Sequence, residues 1–143
     1  MELSLEEWQR TLDVNMTGIF LCCRALLPHM VARRSGCIIN ISSVSGLRPI
    51  MHQSAYCASK HGVNGLSVTL AMELKDHGVR VHALCPGGVK TRLSDEAMPE
   101  RDKSDWMTPE EVAHTALYLA TLGPNATVDI LYLRRFGSVP LGG

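Results

Sequence analysis

An excess of either charge is missing from this chain: 14 Lys and Arg stand against 14 Asp and Glu in 143 residues. A balanced chain has no basic footprint for nucleic acid or for an anionic membrane surface, so neither is expected as a partner. Cysteine pairing signals are missing too. Cys22, Cys23, Cys37, Cys57 and Cys85 form no CxxC pair, and five is an odd number. They are expected as buried small hydrophobes in a reducing compartment, the cytoplasm, and not as a disulfide frame. With the six histidines they show no zinc-ligand spacing, so no metal is expected. The opening MELSLEEWQR is acidic and has no apolar core, unlike a secretory signal. No apolar run approaches the roughly 20 residues that span a bilayer. Internal repeats and low-complexity segments are also absent. What is present is ordinary globular composition, 45% hydrophobic and 20% charged, and the length fits one domain over residues 1–143.

The hydrophobic pattern alternates between two periods. Ser4 and Glu7 have the spacing of a capping box, which starts a helix. Leu5, Trp8, Leu12, Ile19, Leu26 and Met30 then share one helical face to about Arg34, with a bend expected where Gly18 and Pro28 interrupt it. Residues 37–42, CIINIS, read as a buried strand, followed by a loop over 43–53. A second helix is predicted over 54–76, crowded early with Ala55, Ala58, Ser59, Gly62 and Gly65 and closed by His77-Gly78. Residues 79–85 give a second strand, ended by Pro86-Gly87-Gly88. A charged stretch over 94–107 is long for a connection and reads as a functional loop. Thr108-Pro109-Glu110-Glu111 opens a third helix, stopped at Gly123-Pro124, and 128–133 gives a third strand. The tail from Arg134 is expected to be exposed. Strands joined by helices of this length imply an α/β fold with a parallel sheet and right-handed crossovers.

Three residues carry chemistry together. Tyr56 and Lys60 lie one helical turn apart, so both leave the same face. A phenol titrates near 10, which suits it poorly for proton transfer at neutral pH, and an adjacent ammonium is expected to lower that value. A tuned phenol can exchange a proton with a substrate hydroxyl or carbonyl oxygen. Ser43 stands at the C-terminal end of the first strand, where open α/β sheets place their ligands, and its hydroxyl can stabilise a developing alkoxide. A serine nucleophile is disfavoured, because SSVSG is not GxSxG and no His–Asp pair is suggested by position. His52 and His61 are close in sequence and are expected to be solvated.

The stretches IINISSVSG, YCASK and ELKDHGVRVHALCPGGVKT, in this order, resemble the short-chain dehydrogenases/reductases. The likeness runs from Trp8 to about Leu133, and the thirteen residues between Ser43 and Tyr56 are the family's usual interval. The resemblance implies an NAD(P)-dependent oxidoreductase that interconverts a hydroxyl and a carbonyl of a small-molecule substrate by hydride transfer. It implies Tyr56 as general acid/base, Lys60 as its partner and as a holder of the nicotinamide ribose, and Ser43 as the group that orients the reacting oxygen. Asn15, in DVNMTG, matches the family's helix-embedded Asn, which organises a water beside the Lys. Pro86 and Gly87 match the turn beside the nicotinamide, Val89 a backbone contact to the carboxamide, and Thr91 a nearby hydroxyl.

Family members also carry a glycine-rich TGxxxGxG turn and an NNAG motif, and neither occurs in this sequence. The expectation is therefore a partial Rossmann-like doubly wound parallel sheet, the last three of the family's seven strands with flanking helices, forming a single incomplete dinucleotide-binding and catalytic domain. Such a piece is expected to bind a reduced dinucleotide weakly or not at all and to self-associate through its first two long helices. NAD and NADP are both left open. An inactive, truncated relative acting as a dimerisation module is the alternative.

Overall fold

The computed structural model describes residues 2–141. Its first helix, α1 (Leu5–Leu12), starts at the expected capping box: the Glu7 amide donates to Ser4 Oγ at 3.1 Å, and the Ser4 amide donates to Glu7 Oε2 at 2.9 Å. The chain does not break at Gly18. It passes through a single wide turn, a π-helix over Asp13–Thr17, into α2 (Gly18–Ala32), and Pro28 sits inside α2. The combined helix Leu5–Ala32 contains an 18-residue window of mean hydropathy 1.3, so by length and composition alone it could cross a membrane. This corrects the expectation of no such segment. That expectation counted unbroken apolar runs, whereas isolated polar residues such as Asn15 and Arg24 interrupt the run and leave the average apolar. The pattern also misjudged this helix's exposure. Leu5 is 81% exposed and Leu26 51%, and of the adjacent thiols only Cys23 is buried, whereas Cys22 faces solvent.

After Arg33 and Arg34 the chain enters β1 (Gly36–Ile41), a short 3-10 turn at Val44–Gly46, and then α3 (Ser54–Leu74). A further 3-10 turn over Lys75–His77 is closed by Gly78 at φ +71, where its missing side chain also lets the Arg34 carbonyl approach. The strand that follows, β2 (Val79–Pro86), is buried at every position except Arg80. A continuous apolar run buried on both faces is what a central parallel strand requires. The observed sheet has order β1-β2-β3 with every pair parallel: Ile38 lies opposite Val81, and Cys85 lies opposite Tyr132 of β3 (Ile130–Leu133). One core cluster joins Leu74, Val79 and Val81 to Leu27, Met30, Val31, Ile38 and Leu70.

Two stretches differ from the expectation, and one start agrees with it. The charged stretch is not all loop, because α4 (Arg92–Ala97) opens it, capped by Thr91 with Ser94 reciprocating. α5 (Pro109–Ala120) starts at the expected Thr108 cap with Glu111 closing the box. The start of the tail is not free either. Arg134 bonds the carbonyls of Arg135, Phe136 and Ser138, and Arg135 pairs with Asp105 at 2.6 Å, so both are half-buried.

Candidate active site

The C-terminal ends of β1 and β2 open onto a cleft of about 530 Å³. Its walls include Ser43, Tyr56, Pro86, Gly87, Val89 and Thr91, so six of the residues singled out from sequence share one space. Each is positioned by a different local rule. Ser43 lies just past β1, extended, with its Oγ accepting from the Ser45 amide at 3.1 Å. Tyr56 sits in the first turn of α3. Pro86 ends β2, and the Gly87 amide donates to Leu133 O at 2.8 Å, which ties the following turn to β3. Val89 pairs with Met107 in a parallel bridge, and Thr91 caps α4.

Lys60 is buried one turn behind Tyr56. Its Nζ donates to Ile41 O at 3.1 Å and lies 5.5 Å from the centre of the Tyr56 ring. The ammonium thus lies over the Tyr56 ring. Burial pushes the Tyr56 phenol above its ordinary value, opposed by the Ser43 side chain. Burial likewise pushes the Lys60 ammonium below its ordinary value, opposed by the neighbouring Cys85. The expected lowering of the phenol by Lys60 is therefore not seen in this arrangement, because desolvation dominates both groups.

A buried polar seam fixes α3 against the sheet. Ser42 Oγ donates to Lys60 O at 3.1 Å, Asn64 Nδ2 donates to Gly46 O at 2.8 Å, and the Cys85 thiol donates to Asn64 Oδ1 at 3.4 Å. Gly46 is needed where these groups converge: a Cβ there would sit 2.7 Å from Lys60 O and 2.8 Å from Ser42 Oγ. Asn40 adds a further tie, donating to Ser67 Oγ at 2.9 Å.

Asn15 does not line the cleft. It lies in the π turn and donates to Ser59 Oγ at 3.2 Å, and Ser59 donates to Tyr56 O at 2.7 Å. The structure connects Asn15 to the backbone of the Tyr56 turn, not directly to the Lys60 ammonium. π turns are frequent at functional sites, and Asn15 lies at the centre of this one.

Several lining residues were not singled out from sequence: Gln53, Leu93, Met98, Arg101, Trp106 and Arg135. Most belong to residues 91–107 and were hidden by the loop reading. The signal was the Thr91–Ser94 pair, a capping box with a hydroxyl in place of the usual Glu or Gln. Trp106 is held by contact geometry, since a Cβ on Gly88 would fall 2.7 Å from its ring, and Arg135 stacks 5.6 Å from the ring centre.

A family model described as short chain dehydrogenase matches residues 1–102. The chain is 43% identical over 129 residues to 3beta-hydroxysteroid dehydrogenase 1 of Eggerthella lenta, an alignment covering 82% of this chain and 49% of that protein. Among solved structures, a 4-hydroxyisoleucine dehydrogenase mutant complexed with NADH and succinate superposes with a TM-score of 0.85 at 29% identity, covering 94% of this chain and 60% of that one. ElxO with NADP bound gives 0.84 at 26% identity, covering 93% and 58%. The chain spans about half the length of the curated relatives it matches.

Proposed function

The chain belongs to the short-chain dehydrogenases, and on that premise we propose that its cleft interconverts a hydroxyl and a carbonyl on a small molecule, with NAD or NADP as hydride carrier. The observation that carries this reading is the convergence of Ser43 and Tyr56 with residues 86–91 on one cleft, with the Lys60 ammonium one turn behind. NADH and NADP accompany two similar solved structures, which supports either dinucleotide. The cleft's chemistry fits such a group: among the described residues no Asp or Glu lines it, and the two glycines of the Pro86-Gly87-Gly88 turn leave room for close approach. Pro86, Gly87, Val89 and Thr91 are the residues that would hold its nicotinamide end. When bound, the dinucleotide supplies or accepts the hydride.

The protein's own residues position and polarise. Tyr56 gives its phenol proton to the carbonyl oxygen during reduction and takes it back during oxidation. Ser43 donates to the same oxygen and holds it against Tyr56. Lys60 supplies positive charge at the ring face and would share the ribose hydroxyls. Asn15 acts as a positioning residue through Ser59, setting the first turn of α3. The experiment is a dehydrogenase assay with secondary alcohols and ketones against both dinucleotides. Tyr56→Phe is expected to lower turnover by about 10² to 10⁴ while the circular dichroism spectrum is kept. Turnover that survives that change would sink the mechanism.

The same reading includes self-association through the Leu5–Ala32 helix and α3. Val14, Phe20, Leu21 and Leu26 on the first and Met72 on the second are exposed apolar groups that a second copy would cover. A sedimentation velocity run should show a dimer or larger assembly at micromolar concentration, and Leu26→Glu should shift it toward monomer. A reducing, cytoplasmic location fits the five unpaired thiols.

A further inference from the structure

The charged groups lining the cleft are all of one sign. Arg101 and Arg135 line it together with Tyr56 and Ser43, and no carboxylate does among the described residues. In a chain whose charges balance, this asymmetry does not follow from composition. The two arginines are not equivalent. Arg135 is already neutralised by Asp105 at 2.6 Å and spread against the Trp106 ring. Arg101 is exposed and has no ion-pair partner among the described residues, and the same cleft is also lined by the apolar Leu93, Ala97 and Met98. Trp106 is itself buried in the same wall, and its indole N–H has no acceptor among the described residues. The side of the cleft formed by residues 93–106 therefore has donors and positive charge in surplus over an apolar surface.

We propose that the substrate carries an anionic oxygen group, a carboxylate on an otherwise apolar hydroxy or oxo compound, and that Arg101 is the residue that selects it. The inference rests on the reading of the cleft as a substrate site for hydroxyl/carbonyl chemistry. The apolar body lies along Leu93, Ala97, Met98 and Trp106. The reacting oxygen faces Ser43 and Tyr56, and the carboxylate meets the Arg101 guanidinium, whose planar fork matches it with two parallel hydrogen bonds. The same anion chemistry could come from a nucleotide phosphate. Position favours the substrate, because Arg101 belongs to the segment after α4, whereas the nicotinamide end is assigned to residues 86–91.

The test reads binding, so it does not depend on turnover. In the full chain with Trp8→Phe, the remaining tryptophan fluorescence reports on Trp106. The probes are 4-oxopentanoate, its methyl ester and reduced nicotinamide mononucleotide. The expected result is that the carboxylate binds about tenfold more tightly than the ester. Arg101→Gln erases that preference, and Arg92→Gln, on the same segment but outside the cleft, keeps it. Affinity for the mononucleotide stays the same in Arg101→Gln. Equal binding of acid and ester, binding of neither, or a loss in Arg101→Gln confined to the mononucleotide would each overturn the proposal. Carboxylate selectivity without any turnover in the dehydrogenase assay would remove the oxidoreductase reading and leave the anion site standing.

Discussion

Two regions wall the same cleft and are built in opposite ways. The seam where β1, β2 and α3 meet is buried and fully cross-bonded: Ser42, Asn64, Cys85 and Lys60 each reach a partner across the sheet–helix boundary. Residues 91–107 are mostly exposed. They are tied by the parallel bridge between Val89 and Met107, by the Thr91 cap, by the half-buried Lys103, which donates to Met98 O at 2.7 Å and pairs with Asp95 at 3.3 Å, and by the exposed Arg92–Glu96 pair at 3.5 Å. Buried polar groups are costly to disturb, whereas exposed ion pairs contribute little. The seam carries Tyr56, Lys60 and Ser43, and the softer segment carries Leu93, Met98 and Arg101. The groups proposed to move the proton sit on the buried, cross-bonded seam, and those proposed to choose the ligand sit on a mostly exposed segment anchored at Ser94, Trp106 and Met107.

That contrast can be broken from either side. The largest effect is expected from Lys60→Met. It removes the buried ammonium at the Tyr56 ring face and should cut turnover by about 10² or more, read in the dehydrogenase assay. Next is Gly46→Ala, where the new methyl would press on Lys60 O and Ser42 Oγ. Overpacking a site with backbone on one side should cost about 1–3 kcal/mol, read as a lower urea midpoint. Gly88→Ala makes a similar clash, but with the Trp106 ring of the softer wall. Its effect on the urea midpoint should be smaller than that of Gly46→Ala, and it should appear mainly as altered ligand affinity. The smallest effect is expected from Arg92→Gln. The pair it breaks is almost entirely exposed, so no measurable midpoint shift should follow. If Gly88→Ala proves as destabilising as Gly46→Ala, the two walls do not differ as described.

The stiff region was the more legible in sequence, for a physical reason. The β1 and β2 strands, the long α3 and the caps at Ser4 and Thr108 follow strong local rules, and each appears within a few residues of its expected place. Ser43, Tyr56 and the turn from Pro86 were found because strand ends and helix starts fix where they lie. Three features were not legible. The π turn at Asn15 depends on how the helix meets Ser59 of α3, a contact 44 residues away in sequence. The charged α4 has too little apolar periodicity to announce itself. The titration of Tyr56 and Lys60 depends on burial and on the direction in which the ammonium points, and spacing alone supplies neither. Cys22 was misread because its neighbour Cys23 is buried, and adjacent residues on a helix face different ways.

Burial that raises the Tyr56 phenol and lowers the Lys60 ammonium sets the sign of the pH dependence. At neutral pH Tyr56 is a protonated phenol, the form that reduction of a carbonyl requires. Oxidation of a hydroxyl requires the deprotonated form. The oxidative rate should therefore climb as pH rises toward a phenol value above the ordinary one, while the reductive rate stays level over that range. The most direct test of Tyr56 as the proton-transfer group is the pH profile of kcat/KM for oxidation of a secondary alcohol, in the unaltered chain and in Tyr56→Phe. The expected result is an alkaline rise in the first and a low, flat profile in the second. A rise of the same steepness in both would contradict it.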